Sequence, residues 1–289
     1  MHSPGPLPVN IPPARYYYFN DRIVDAHAPL LQLQDLGLFR GYAVFDFLRT
    51  QGGKPLLMER YLQRFRHSAE AMRLTLHLPD ATLAELIREL IRKNGFAESG
   101  VRLLLSGGYS PDLFTPAEPN LIIRIEPYTP APQSSYTQGA RLVTDEYLRE
   151  WPAVKHTNYI NAIRNQPRVL AAGATEVLYH WQGQLSECSR SNLFIAKGGT
   201  LITPPLQQVL AGVTRGQVLR LARAAGIPVE ERPLKLEELW QADEAFITAT
   251  TKRVMPIVQI DHHTIGAGTP GPLSRHLLEL WEREVEGKM

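Results

Sequence analysis

The sequence predicts a mixed α+β protein in two domains, and three observations carry that prediction. Strand patterns come first along the chain, a segment without apolar periodicity interrupts it at 127–139, and strands alternate with helices beyond. With 289 residues and 44% hydrophobic content, the chain can bury one large core or two modest ones.

Met1 to Arg15 is proline-rich without an apolar core and reads as a loose N-terminal extension, 1–15. Tyr16 to Phe19 and Arg22 to Val24 flank Asn20-Asp21 as in a hairpin, and Ala43 to Thr50 supplies a further strand before Gly52-Gly53. Leu62, Phe65, Ala69 and Met72 recur at helical spacing. Leu83, Leu86, Ile87, Leu90 and Ile91 repeat the pattern after a cap at Asp80, and Gly95 ends it. Strands Val101 to Ser106 and Leu121 to Glu126 complete a small domain, 16–126. Pro, Ser, Thr and Gln then dominate a linker, 127–139.

The larger domain, 140–289, places strands at Ala140 to Thr144, Val177 to Trp181, Leu193 to Ala196, Ala245 to Thr248 and Met255 to Ile260. Helices are expected near Tyr159 to Ala172, Thr214 to Ala225 and Leu273 to Val285. Pro167 predicts a kink or an early stop in the first of these, because it removes a donor and crowds the preceding turn. Gly226 reads as the residue that ends the second.

Charge and cysteine content narrow the function. A net charge of +2 without long single-sign runs leaves no electrostatic footprint for nucleic acid or an anionic membrane, so small-molecule partners are favoured. Cys188 stands alone, which excludes an internal disulfide and a cysteine-built zinc site; no metal is expected, and a reducing, cytoplasmic setting is. No stretch of the sequence approaches the length that spans a bilayer.

Four segments carry chemistry. Val154-Lys155-His156-Thr157-Asn158-Tyr159 offers an amine, and Leu185-Ser186-Glu187-Cys188-Ser189-Arg190-Ser191-Asn192 an acid after a strand. A lysine forms imines only if it sheds its proton near neutral pH, which burial and neighbouring cations promote. A carboxylate aimed at a heterocyclic nitrogen keeps that nitrogen protonated, so the ring can accept electrons. Leu210-Ala211-Gly212-Val213-Thr214-Arg215 starts a helix whose free amides suit a phosphate, and Thr250, after Phe246-Ile247-Thr248-Ala249, can add a hydroxyl. Arg64, on the polar side of its helix, can add a charge-assisted bond. Singly, these read as a surface lysine, a solvated turn acid and a plain helix cap; in this order they reinforce one another.

On these motifs the chain resembles the class IV aminotransferases, a family that includes branched-chain aminotransferases, D-amino-acid transaminases and aminodeoxychorismate lyases. The resemblance covers nearly all of the chain after the extension. It implies pyridoxal 5'-phosphate as cofactor, with Lys155 as the Schiff-base lysine and catalytic acid/base, Glu187 as the partner of the pyridine nitrogen and Tyr159 as donor to the ring's phenolic oxygen. Arg64, Val213, Thr214 and Thr250 would hold the phosphate. It also implies a small N-terminal α/β domain, a larger C-terminal domain with a barrel-like sheet, and a homodimer whose small domains complete the neighbouring sites.

Three arginines bear on the substrate, because a planar guanidinium matches both oxygens of a carboxylate: Arg40, Arg102 and Arg190. Arg40 stands where branched-chain enzymes usually carry tyrosine, and Phe47 replaces their usual glycine. Phe45 replaces the tyrosine of familiar D-amino-acid transaminases, and Asp112-Leu113-Phe114 replaces their Arg-x-His trap. Arg40-Gly41-Tyr42, Gly107-Gly108-Tyr109-Ser110-Pro111 and Ser189-Arg190-Ser191-Asn192 resemble an unconventional D-amino-acid subgroup that uses arginines. The resemblance thus implies ping-pong transamination between D-amino acids, such as D-alanine or D-glutamate, and 2-oxo acids such as 2-oxoglutarate. An L-branched-chain aminotransferase, an aminodeoxychorismate lyase and a non-catalytic cofactor-binding protein remain as alternatives.

Overall fold

The computed structural model describes residues 14–287 and builds them on two sheets. Most of the expected extension, up to residue 13, lies outside the described residues; Arg15 already donates its amide to Asn94 Oδ1 at 2.8 Å.

The first sheet opens with the expected hairpin of β1 (Tyr16–Phe19) and β2 (Arg22–Asp25), turned at Asn20 with φ 54°. A one-turn helix, α1 (Leu36–Phe39), precedes β3 (Ala43–Gln51) and β4 (Lys54–Pro55), which are joined by the left-handed pair Gly52-Gly53. Then come α2 (Met58–Ala71), α3 (Asp80–Asn94), β5 (Ser99–Ser106) and β6 (Leu121–Pro127). The strand order is β2-β1-β6-β5-β3-β4. Helices α2 and α3 bury Leu62, Phe65, Leu83, Ile87 and Leu90 in one core with Val44, Leu48, Val101 and Ile123 of the sheet. The cap of α3 is Pro79 rather than Asp80; Asp80 instead bonds Arg66 at 2.6 Å. Gly95, with φ 68°, ends that helix as expected.

The linker segment is not featureless, since Pro127 still belongs to β6 and α4 (Ser134–Thr137) forms a short turn of helix. Beyond it run β7 (Ala140–Glu146), α5 (Ile160–Ala171), β8 (Glu176–Trp181), β9 (Gln184–Cys188), β10 (Asn192–Lys197) and β11 (Thr200–Thr203). They are followed by α6 (Val213–Ala224), β12 (Val229–Glu231), β13 (Leu234–Lys235), α7 (Leu236–Trp240), β14 (Glu244–Ala249), β15 (Arg253–Ile260), β16 (His263–Thr264) and α8 (Pro272–Glu286). Pro167 lies inside α5 without stopping it, because the helix continues to Ala171. Gly226 follows α6 with φ 73°, the left-handed residue the sequence calls for.

Six strands of the second sheet close on themselves: β10-β14-β15-β7-β8-β9 and back to β10. The returning link is a single residue pair, Asn192 with Glu187. This is the barrel-like sheet that the resemblance implies. Period-two alternation fills its two faces. Leu193, Ile195, Ala245 and Ile247 share one core with Leu142, Leu178 and Ile257, while Phe194 and Phe246 stack 5.0 Å apart in another, with Val218 of α6 and Leu277 of α8. Among the described residues, no helix is long and apolar enough to cross a membrane.

Candidate active site

Lys155 sits between the two sheets. Its segment leaves β7 and folds back on the first sheet, where Val154 joins the core, the Phe45 amide donates to Lys155 O at 2.9 Å, and the Lys155 amide donates to Ser68 Oγ at 3.1 Å. The amine stands 4.6 Å from the centroid of the Phe45 ring. Burial lowers its pKa most and the Arg64 guanidinium next; Asp46 opposes them, and the amine is held at about 7. The residue is partly open to the cleft, which weakens the effect of burial, but Arg64 and Arg149 push the same way.

Glu187 faces the same cleft from the barrel seam. Its Oε2 accepts the Leu210 amide at 3.0 Å and Asn192 Nδ2 at 3.3 Å, and Arg149 pairs with Oε1 while also donating to Val154 O. Burial raises the Glu187 pKa, while Arg149 and the Leu210 amide act in the opposite direction. Arg149 thus clamps the acid and the lysine segment together.

Helix α6 points its uncapped N-terminus into the cleft, with Gly212 as the N-cap. A Cβ at Gly212 would lie 2.0 Å from Asn192 Oδ1, so this close approach requires glycine. The buried Thr214 hydroxyl approaches that of Tyr61 but makes no well-formed hydrogen bond. Thr250 Oγ1 meets Tyr61 OH at 2.9 Å. Arg64 bonds Asp46 through two nitrogens, at 2.9 and 2.6 Å, which keeps it charged: burial would lower its pKa, and Asp46 more than offsets this.

One cleft gathers Lys155, Glu187, Tyr159, Arg64, Val213, Thr214 and Thr250. Burial pushes the Tyr159 hydroxyl up to about 12, so it stays protonated and able to donate. A wider, open cavity adjoins it and is walled by Phe45, Phe47, Leu104 and Tyr128. Arg190 reaches both cavities and has no ion pair among the described residues. Arg102 lines the wider one, but Glu126 takes its charge at 2.9 Å and the guanidinium lies over the Phe47 ring. Arg40 is not brought to this cleft: its Nε donates to Leu113 O at 3.0 Å on the first sheet's outer loops.

The sequence profile described as amino-transferase class IV matches residues 43–260. The chain belongs to the class IV aminotransferases. Among its relatives in this family, a putative branched-chain-amino-acid aminotransferase of Methanocaldococcus jannaschii is 30% identical, over 91% of this chain and 93% of the relative. A D-alanine aminotransferase of Bacillus licheniformis is 28% identical, over 90% and 93%. Among solved class IV folds, the branched-chain amino acid aminotransferase of Escherichia coli superposes with a TM-score of 0.87 at 26% identity, covering 95% of each chain. A second branched-chain amino acid aminotransferase, solved with pyridoxamine 5'-phosphate, superposes with a TM-score of 0.89 at 26% identity, covering 96% of this chain and 95% of that one.

The cofactor of class IV aminotransferases is pyridoxal 5'-phosphate, and the cleft fits it. A lysine held near neutrality supplies the amine for an aldehyde, and the orphaned Thr214 hydroxyl at a helix N-terminus suits a phosphate. Sequence reasoning did not find Asp46, Tyr61, Arg149 or Asn192. Only Asn192 carried a local signal, through its place beside Ser189-Arg190-Ser191; the others contact the site through partners distant in sequence.

Proposed function

We propose that this class IV aminotransferase transfers amino groups between D-amino acids, including D-alanine and D-glutamate, and 2-oxo acids such as 2-oxoglutarate. The observation that carries this reading is Arg190: a cation without an ion pair among the described residues, at the junction of the two cavities, suited to a substrate carboxylate. Pyridoxal 5'-phosphate, when bound, supplies an aldehyde and a ring that takes up the electrons of a substrate Cα–H bond. Lys155 Nζ, uncharged above about pH 7, would be the group to hold that aldehyde and to move a proton at the substrate Cα. Glu187, with Arg149 favouring its anionic form, would partner the ring nitrogen, and Tyr159 would donate to the phenolic oxygen. Arg64, the Val213 and Thr214 amides and the Thr214 and Thr250 hydroxyls would hold the phosphate.

In this reading the protein is a cytoplasmic homodimer of subunits divided into a small domain, 16–126, and a large one, 140–289. Arg40 then serves the neighbouring site, as its position away from its own cleft suggests, and Leu38, Phe39 and Phe114 lie exposed beside it for burial against a second copy.

The apolar wall of Phe45, Leu104 and Tyr128, together with Arg102 paired to Glu126, favours a second reading: an L-branched-chain aminotransferase. Half-reactions with single amino acids separate the two. Loss of the bound cofactor's absorbance with D-alanine and D-glutamate supports the first, and reaction with L-leucine alone refutes it.

A further inference from the structure

Glu176 opens β8 only 1% exposed, and no role assigned above uses it. Its Oε2 accepts the Arg190 amide at 2.8 Å and Ser189 Oγ at 3.1 Å, and its Oε1 accepts Ser191 Oγ at 2.7 Å. Those donors span the whole loop between β9 and β10. Lys252 Nζ, also buried, pairs with Oε1 from the turn between β14 and β15, two residues after Thr250. Tyr136 OH in turn donates to Lys252 O at 3.2 Å. One carboxylate therefore joins the loop that carries Arg190 to the turn that carries Thr250.

The charge state is fixed. Burial pushes the Glu176 carboxyl up, but Lys252, Arg190 and the Ser191 hydroxyl outweigh it and hold it at about 2. A buried ion pair adds little stability over an apolar pair of equal volume. What this pair does is fix geometry, because every lone pair direction of the acid is taken by a group from one of two site-forming loops.

We propose that Glu176 is a positioning residue: it aims Arg190 at the carboxylate of the substrate and, through Lys252, holds the Thr250 turn against the cofactor phosphate. The Arg190 half rests on the reading of Arg190 as a substrate arginine; the Lys252 half does not. A substrate carboxylate bound at Arg190 and a phosphate bound at Thr250 then each favour the loop arrangement the other needs.

The test uses the holoenzyme and the variants E176Q, K252M, R190A and their pairwise combinations, with two readouts. The first is KM for D-glutamate against D-alanine; the second is dissociation of pyridoxal 5'-phosphate followed by absorbance. E176Q should raise KM for D-glutamate about tenfold, the scale of one lost charged hydrogen bond, and should add nothing further in an R190A background. E176Q and K252M should each weaken cofactor retention about tenfold, and E176Q/K252M no more than either alone. That double variant also leaves no lone buried charge, so it carries the test if a single variant fails to fold. Multiplying effects of E176Q and R190A on KM would overturn the Arg190 half, and unchanged cofactor retention in E176Q would overturn the Lys252 half. If R190A alone leaves KM untouched, the substrate reading of Arg190 falls, and the cofactor constants decide the remaining half separately.

Discussion

Asn192 pairs with Glu187 across the one backbone link that closes the barrel, and its side-chain amide reaches the same carboxylate at 3.3 Å. The acid proposed to partner the ring nitrogen is therefore held by the sheet's own closure. Asn192 Nδ2 also donates to Leu210 O at 2.9 Å, which ties the seam to the approach of α6.

Gly212→Ala tests this seam. The new Cβ would meet Asn192 Oδ1 at 2.0 Å, so either the helix start or Asn192 must shift. Pyridoxal 5'-phosphate binding should weaken at least about tenfold, the cost of losing one or two charge-assisted bonds. Titration of the apoenzyme with cofactor, read by absorbance, checks it; unchanged affinity would mean the phosphate sits elsewhere.

The amine of Lys155 should titrate far below an ordinary lysine. Reaction of the apoenzyme with pyridoxal 5'-phosphate should rise through a midpoint near pH 7 and level off by about pH 9, as an amine becomes reactive only when uncharged. The same shift has a stability consequence. The folded pKa lies below the unfolded value of 10.5, so between about 7 and 10.5 the unfolded chain binds the extra proton and the folded state gains stability as pH rises. Apo wild type should therefore gain Tm relative to K155M on going from pH 7 to pH 9.5. A parallel course of the two proteins would remove the shift.

Removing Arg149 leaves Glu187 buried without its cation. R149M should destabilise the protein by about 3 kcal/mol, and its activity at neutral pH should fall as the Glu187 pKa rises further. In R149M/E187Q part of the stability should return and none of the activity. Denaturant melts and initial rates of the three proteins decide this.

Arg190→Ala should raise KM for dicarboxylic substrates about tenfold or more while the cofactor stays bound, as expected for loss of a guanidinium–carboxylate contact. Equal losses of substrate and cofactor binding would make Arg190 structural.

Subunit mixing tests the placement of Arg40. If it serves the neighbouring site, R40A and K155A proteins that are each defective with D-glutamate should recover activity when co-refolded, because the mixed dimer contains one site with both residues intact. No recovery from a verified mixed dimer would return Arg40 to its own subunit.

Local signals made much of this fold readable. The helical spacing of Leu62, Phe65 and Ala69, and of Leu83, Ile87 and Leu90, marks sides that do pack in one core, and Gly95 and Gly226 end helices with positive φ. The barrel came from family resemblance, not from pattern: β9, Gln184–Cys188, alternates weakly, and β12, β13 and β16 are too short to show a period. Lys155, Glu187, Thr214 and Thr250 stood out because each sits in a recognisable motif, and the fold brings them into one cavity. Asp46 and Arg149 did not. In sequence Asp46 is an acid within an apolar strand and Arg149 an arginine in a turn; only contacts to Arg64 and Glu187, formed by the tertiary fold, give them meaning. Arg40 shows the converse limit, a motif residue whose own subunit directs it elsewhere.

The lysine segment is stitched to β3 as if it were a strand of the first sheet, through Phe45 N to Lys155 O, Thr157 N to Ala43 O and the bridge between Val44 and His156. Prising the two sheets apart would drag Lys155 away from Glu187. The candidate site therefore depends on the two sheets staying together, with Phe47 and Arg190 lining its wider cavity.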